Sequence, residues 1–185
     1  WGDRAASISL QEMILASGAE IPYRITESGL FTSRLFEDSA HLEKPGKNRT
    51  RELIRAMLPP VFLQARRQVL ARTKLSHTRG PVPESWESFG PCAQRVLGDK
   101  SPWPDLARAV DEIDVAVVHG DGAMVGNGIH PRSLLFLAYL IRSHFGKPVI
   151  IVNHTADFDH PLLRQAAENV YPLFDDVAFR DSISV

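Results

Sequence analysis

Asp121 stands between two glycines in "HGDGAMVGNG", residues 119–128, directly after an apolar run. A carboxylate in that setting can accept a sugar hydroxyl or take a proton from one, and it can equally cap the loop through its own backbone. The flanking Gly120 and Gly122 can adopt positive φ and carry no Cβ, so a ligand can approach the backbone closely. His119, at the end of the apolar run, is either a site group or a histidine at the core margin. Asn127 closes the same stretch and joins the binding candidates, beside helix-opening N–H groups that can receive an anion. Two more polar clusters follow, "NHTADFDH" at 153–160 and "RDSIS" at 180–184. Asn153, His154 and Thr155 can bind hydroxyls, or supply turn and capping chemistry. Arg180 can meet an anion, and Ser182 more simply caps a following helix.

Some chemistries are excluded by spacing. The glycine stretch is not G-x-G-x-x-G opening directly onto a helix with an acid about 20 residues on, and it lacks the Gly-Lys-Ser/Thr ending of a P-loop. His154, Asp157, Asp159 and His160 carry metal-donor atoms, but their spacing matches no ligand motif and Pro161 follows, so no metal is expected.

The elements that must position these residues are legible in the last third of the chain. Residues 113–118 form a run with β-branched members that is apolar but for Asp114, which predicts a strand buried on both faces. Pro131 opens a predicted helix through Phe145 that stops on Gly146. Residues 148–152 predict a second buried strand, 161–173 a helix opened by Pro161, and 177–179 a third strand. Strand and helix alternating at this spacing predict a parallel sheet with right-handed crossovers, a Rossmann-like α/β fold with flanking helices. All three polar clusters then fall at carboxyl ends of strands, where open parallel sheets bind ligands.

The first two thirds are less patterned. Residues 5–16 predict a helix with Ile8, Met13, Ile14 and Leu15 on an apolar face and Gly18 as its stop. "IPYRITE" predicts a short strand. Helices are predicted at 50–58, capped by Thr50 and stopped by Pro59-Pro60, and at 61–75. "GPVPESWESFGP" reads as a proline-rich connector holding at most a helical turn, and Ser101-Pro102 starts a short helix to Val110.

Composition narrows the class. A chain of 185 residues with 44% apolar and 23% charged residues suits one soluble globular domain. The longest apolar run, 134–141, falls far short of the roughly 20 residues that span a bilayer. No signal peptide is visible, and a single cysteine, Cys92, suits a reducing compartment, so a cytoplasmic location is expected. The net charge of −1 is unevenly spread, with ten Lys/Arg and one acid, Glu52, between Lys44 and Arg79. This basic helical segment, 44–79, reads as a solvated face, an attractor of anionic substrate, or a peripheral contact with an anionic membrane surface. Nucleic acid is not expected, because Phe62 is the segment's one aromatic residue.

The triplet Gly120-Asp121-Gly122, then Gly146-Lys147-Pro148-Val149, then Arg180-Asp181-Ser182-Ile183-Ser184 make an ordered set. That set resembles the N-terminal half of the polysaccharide pyruvyl transferase family. The opening "WGDRAA" is similar to the family's first loop-to-helix segment, which adds Asp3 to the binding candidates. The resemblance covers 113–184 and 1–6, while the basic segment has no counterpart. It implies one half of a GT-B-like two-domain architecture. A chain beginning at Trp1 and stopping at Val185 is then expected to be a fragment, with the first strand and the C-terminal domain outside it. It further implies transfer of the enolpyruvyl group of phosphoenolpyruvate to two hydroxyls of a polysaccharide or precursor sugar. No metal or organic cofactor is implied. Asp121 is the implied catalytic residue, with donor-binding cations mostly in the C-terminal half. Two other readings stay open: a nucleotide-sugar-dependent glycosyltransferase on the same architecture, and a non-catalytic glycan-binding module.

Overall fold

A computed structural model describes residues 2–25, 35–36, 81–126 and 128–180. The expected helices at 50–58 and 61–75, the basic segment 44–79 and the expected cap at Ser182 lie outside these residues.

The expected α/β fold is present as a three-stranded parallel sheet flanked by helices. The elements are α1 Gly2–Ala16, α2 Phe89–Leu97, α3 Leu106–Asp111, β1 Ala116–Val125, α4 Ile129–Phe145, β2 Val149–Asp157, α5 Pro161–Val170 and β3 Asp176–Phe179. Strand order is β1-β2-β3. Consecutive parallel neighbours require crossover connections of one hand, which puts α4 and α5 on the same face of the sheet. There α4 packs on β1, β2 and α5.

The core is built around α4. Its start is marked by Gly128, and Pro131 sits in the first turn, where the missing N–H has no helical partner to lose. Its end is the expected one: Gly146 takes the left-handed conformation at φ 67°. Leu135, Phe136 and Leu140 are fully buried, beside Val149 and Ile151 of β2 and Leu163 and Val170 of α5. Phe136 meets Phe89 edge-on at 5.5 Å and Trp103 at 6.2 Å between ring centroids, which brings α2 and the turn before α3 into the same core. Each such side chain contributes about 1.5–3 kcal/mol by leaving water.

Six expectations need correction. The first strand does not occupy 113–118 with both faces buried. Ile113 N donates to Val110 O and so still belongs to the end of α3, and pairing begins only where Ala116 N reaches Pro148 O. The strand then runs on through the glycine stretch to Val125, because β2 offers partners as far as Asp157. Among the described residues it buries one face, and Val115, Val117 and Val125 stay 44%, 37% and 45% exposed. Likewise β2 continues through Asn153-His154-Thr155 rather than stopping at Val152.

The proline-rich connector is more than a turn. Its Trp86–Ser88 turn of 3-10 helix leads straight into α2, with Pro91 tolerated in the first helical turn. The next helix begins at Leu106, not at Ser101-Pro102, whose hydroxyl instead accepts from Trp103 N at 3.0 Å. Finally, α1 forms and Gly18 follows it at φ 86°, but Ile8, Met13 and Leu15 are exposed rather than packed. Of the predicted strand in "IPYRITE", the described residues 21–25 show an isolated antiparallel bridge from Ile25 to Phe36, and residues 26–27 lie outside the described ones.

Glycine at 120 is a packing requirement. A Cβ built there falls 2.2 Å from His154 Cβ on the neighbouring strand, a separation real atoms do not adopt. Gly120→Ala must push β1 and β2 apart, and overpacking of this kind costs about 1–3 kcal/mol. Chemical denaturation is expected to show that loss for Gly120→Ala, whereas Gly122→Ala, with open space around its site, is expected to unfold within about 1 kcal/mol of the parent.

Candidate functional site

Among the described residues, two that are not glycine have positive φ, Asp121 at 42° and Asn153 at 51°. They lie on adjacent strands beside two irregularities of register, between Asp121 and Met124 on β1 and between Ile151 and His154 on β2. Asn and Asp enter the left-handed region more readily than other side chains, which is why these positions tolerate it. Irregularities of this kind turn a side chain away from strict alternation and are frequent beside functional sites. The expectation that Gly120 and Gly122 would supply positive φ is therefore displaced by one residue, onto the aspartate between them.

Two polar pairs result. Arg180, just past β3, reaches across β2 so that its guanidinium Nη1 donates to Asp121 Oδ1 at 2.9 Å. Its own backbone N donates to His154 O at 3.0 Å, extending the ladder by one bond. The carboxylate side chain is 17% exposed and the guanidinium side chain 49%, so the ion pair is reachable from solvent. Beside it, Asn153 Nδ2 and His119 Nε2 lie 2.8 Å apart, both residues half-buried. Arg180 is thus tied to β1 by Asp121, and β2 to β1 by the pair of Asn153 and His119.

Other candidates stand elsewhere. His154 is fully buried, with its ring against Phe179 at 4.4 Å and Tyr171 at 5.8 Å. Its Nδ1–H donates to Ala178 O at 3.2 Å, and its Nε2 has no hydrogen-bond partner among the described residues, nor does the buried Tyr171 hydroxyl. Its ring belongs to the core, and the close approach at Gly120 is one of strand to strand. Thr155 is half-buried on β2, and Gly122 is exposed on β1. Asp3 lies in the first turn of α1, with its side chain outside the described part, and Asn127 is outside the described residues altogether.

The residues once weighed as metal donors have local duties. His160 Nδ1 accepts from Leu162 N at 3.3 Å as the cap of α5, and Asp157 Oδ1 accepts from Asp159 N at 3.1 Å. Among the described residues, no three His, Cys, Asp or Glu side chains gather as metal ligands do. A concavity of about 190 Å³ lies between α2 and α3, lined by Val96, Trp103 and Leu106 among others, and it includes none of the strand-end residues.

What the residue types did not disclose is the pairing. His119 and Asn153 are 34 positions apart, and Asp121 and Arg180 are 59 apart. Only the register of β1 on β2 and of β2 on β3 joins them.

Burial pushes the His154 imidazolium below the ordinary histidine range, while the Ala178 carbonyl pulls weakly the other way. A depressed folded pKa means that the neutral ring is the form the fold accepts. This stabilisation is complete above pH of about 6.5 and is lost as pH falls through the folded value. Unfolding free energy measured from pH 7.5 down to 5 is expected to fall, and the slope is expected to be shallower in His154→Leu. An equal slope in both proteins would assign the acid sensitivity to other groups.

Comparison with known proteins found no matching family model, no matching curated protein and no matching solved structure.

Proposed function

We propose that this chain supplies the acceptor-binding half of an enzyme that transfers the pyruvyl group of phosphoenolpyruvate to a sugar, forming a cyclic pyruvate ketal and releasing phosphate. The observation that carries the reading is the 2.9 Å contact between Asp121 and Arg180. The acid of the glycine-acid-glycine triplet and the arginine of the Arg-Asp-x-x-Ser stretch are separate parts of the motif resemblance, and they meet in space. Their meeting point lies where β3 ends and in the carboxyl half of β1, toward the end of a parallel sheet at which ligands bind in folds of this class.

The chemistry assigns each group a task. One sugar hydroxyl adds through oxygen to C2 of the enolpyruvyl group, and a proton arrives at C3, turning the methylene into a methyl group. The C2–O bond to phosphate then breaks, the second hydroxyl bonds to C2, and phosphate leaves with the remaining proton. Asp121 is suited to accept the proton of an attacking hydroxyl. Arg180 holds the carboxylate before substrate binds, and its exposed half can attract the donor's anionic groups. His119 and Asn153 offer hydrogen bonds to the sugar.

In this reading the remaining cations for phosphoenolpyruvate come from a C-terminal domain of the same parent polypeptide, in a GT-B-like arrangement. No helix among the described residues is long and apolar enough to cross a membrane. A cytoplasmic enzyme whose basic segment 44–79 touches an anionic membrane surface is consistent with a lipid-linked acceptor.

The test is incubation of the complete parent polypeptide with phosphoenolpyruvate labelled in its three carbons and a panel of sugars. Label entering a sugar with release of phosphate is the expected result. Binding of a nucleotide sugar instead would make the protein a glycosyltransferase, and glycan binding without turnover would make it a binding module. Asp121→Asn keeps the shape and the tolerance of positive φ. It is expected to lower kcat/KM at least tenfold, within the usual range for loss of a general base. Stability is expected to change by no more than about 1 kcal/mol, as for an exposed ion pair. Unchanged kinetics in Asp121→Asn would reduce the carboxylate to a structural partner of Arg180.

A further inference from the structure

We infer that Asn153 is a positioning residue for His119: its side-chain amide, turned by a left-handed backbone, fixes the imidazole with its proton on Nδ1 and presents that N–H to a ligand oxygen.

The argument begins with the contact. Asn153 Nδ2 is a donor only, so at 2.8 Å the His119 Nε2 must be the acceptor. A neutral imidazole has one donor and one acceptor nitrogen, so the proton is confined to Nδ1. Among the described residues Nδ1 has no hydrogen-bond partner, and it is not one of the buried unpaired atoms. His119 therefore shows the outside a donor of fixed direction, where a free histidine would exchange between two tautomers.

The backbone explains why an asparagine can do this. Asn153 sits at φ 51° inside a β-strand, where most side chains are strained. The same bend accompanies the change of register between Ile151 and His154. His119 pairs with Val152, the residue before Asn153, so in a regular strand the Asn153 side chain would point away from the face His119 occupies. The left-handed residue turns the amide toward the neighbouring strand instead. The bent backbone and the hydrogen bond are thus two parts of one device.

The ligand chemistry is an acceptor oxygen, and, resting on the pyruvyl-transfer reading, that oxygen belongs to the sugar. Orientation of a single donor fits such a partner, because hydroxyls of a ring are recognised by direction as much as by charge.

The test reads the ring directly and involves no substrate, so it stands or falls separately from the pyruvyl-transfer reading. Nitrogen-15 labelling of the seven histidines, with His119 assigned by its disappearance in His119→Gln, gives the protonation of each ring nitrogen in the full-length protein at neutral pH. The expected result is an Nδ1–H ring with a bare Nε2. Asn153→Gly keeps the positive φ without strain and removes the amide. In that variant the ring is expected to revert to exchanging tautomers. Asn153→Asp, also tolerant of this backbone, replaces a donor with an acceptor and is expected to draw the proton onto Nε2. A protonated Nε2 in the parent protein, or one tautomer common to all three proteins, would overturn the inference.

Discussion

At Gly120 the two strands β1 and β2 come so close that the space for a side chain is already filled by the Cβ of His154. The absence of one methyl group thereby fixes several things together. It lets the histidine ring lie in the core between Phe179 and Tyr171. It holds Asp121 opposite His154 in the ladder. Because the strands are parallel and in this register, the residue after β3 arrives over the same place, and its N–H bonds to the carbonyl of His154. The side chain of Arg180 can then reach Asp121. Remove the close approach, and the polar groups of β1, β2 and the residue after β3 have no common reference point.

Around that point the sheet departs from regularity in a consistent way. Both strands change register at the same level, and at both the residue in the left-handed region is one of the two polar types that tolerate it. Regular pleating would send alternate side chains to opposite faces. Here the irregularities gather a carboxylate, a guanidinium, an imidazole and an amide at the edge of a core made of Leu, Ile, Val and aromatic rings. The core bears the stability. The polar residues there are arranged in pairs whose members neutralise or saturate one another: Arg180 with Asp121, Asn153 with His119. The ion pair itself contributes less than about 1 kcal/mol, given its exposure to water.

The fold was largely legible in the sequence, and the site only in part. Proline near the start and glycine past the end bounded α4, and apolar periodicity marked the sheet and its parallel sense. Periodicity failed at β1, because a glycine-rich stretch looks like a loop, whereas its strand character comes from the long partner β2. It failed again at α2, where proline and glycine masked a helix that packs Phe89, Ala93 and Val96 into the core. At the site, the residue types pointed to Asp121, Arg180, His119 and Asn153, but not to their pairing, since neither register nor left-handed backbone is written in composition. His154 is the instructive case. A histidine in a polar cluster suggested a ligand-binding group, yet the left-handed residue before it breaks the alternation of β2 and puts its ring in the core, where the surrounding aromatics make it structural.

The separation of Asp121 and Arg180 by 59 positions has a consequence for the order of events as the chain folds. Local elements such as α4 and α5 can form early, because closing short segments costs little entropy. The contact between the end of β3 and the middle of β1 requires both crossovers to be closed first. A contact of that kind is absent from early nuclei and is gained only near the native state. It therefore bears mainly on how quickly the native protein unfolds, and hardly on how quickly it folds. The polar centre of the sheet is in this sense a seal on a finished structure, formed after the core that carries it.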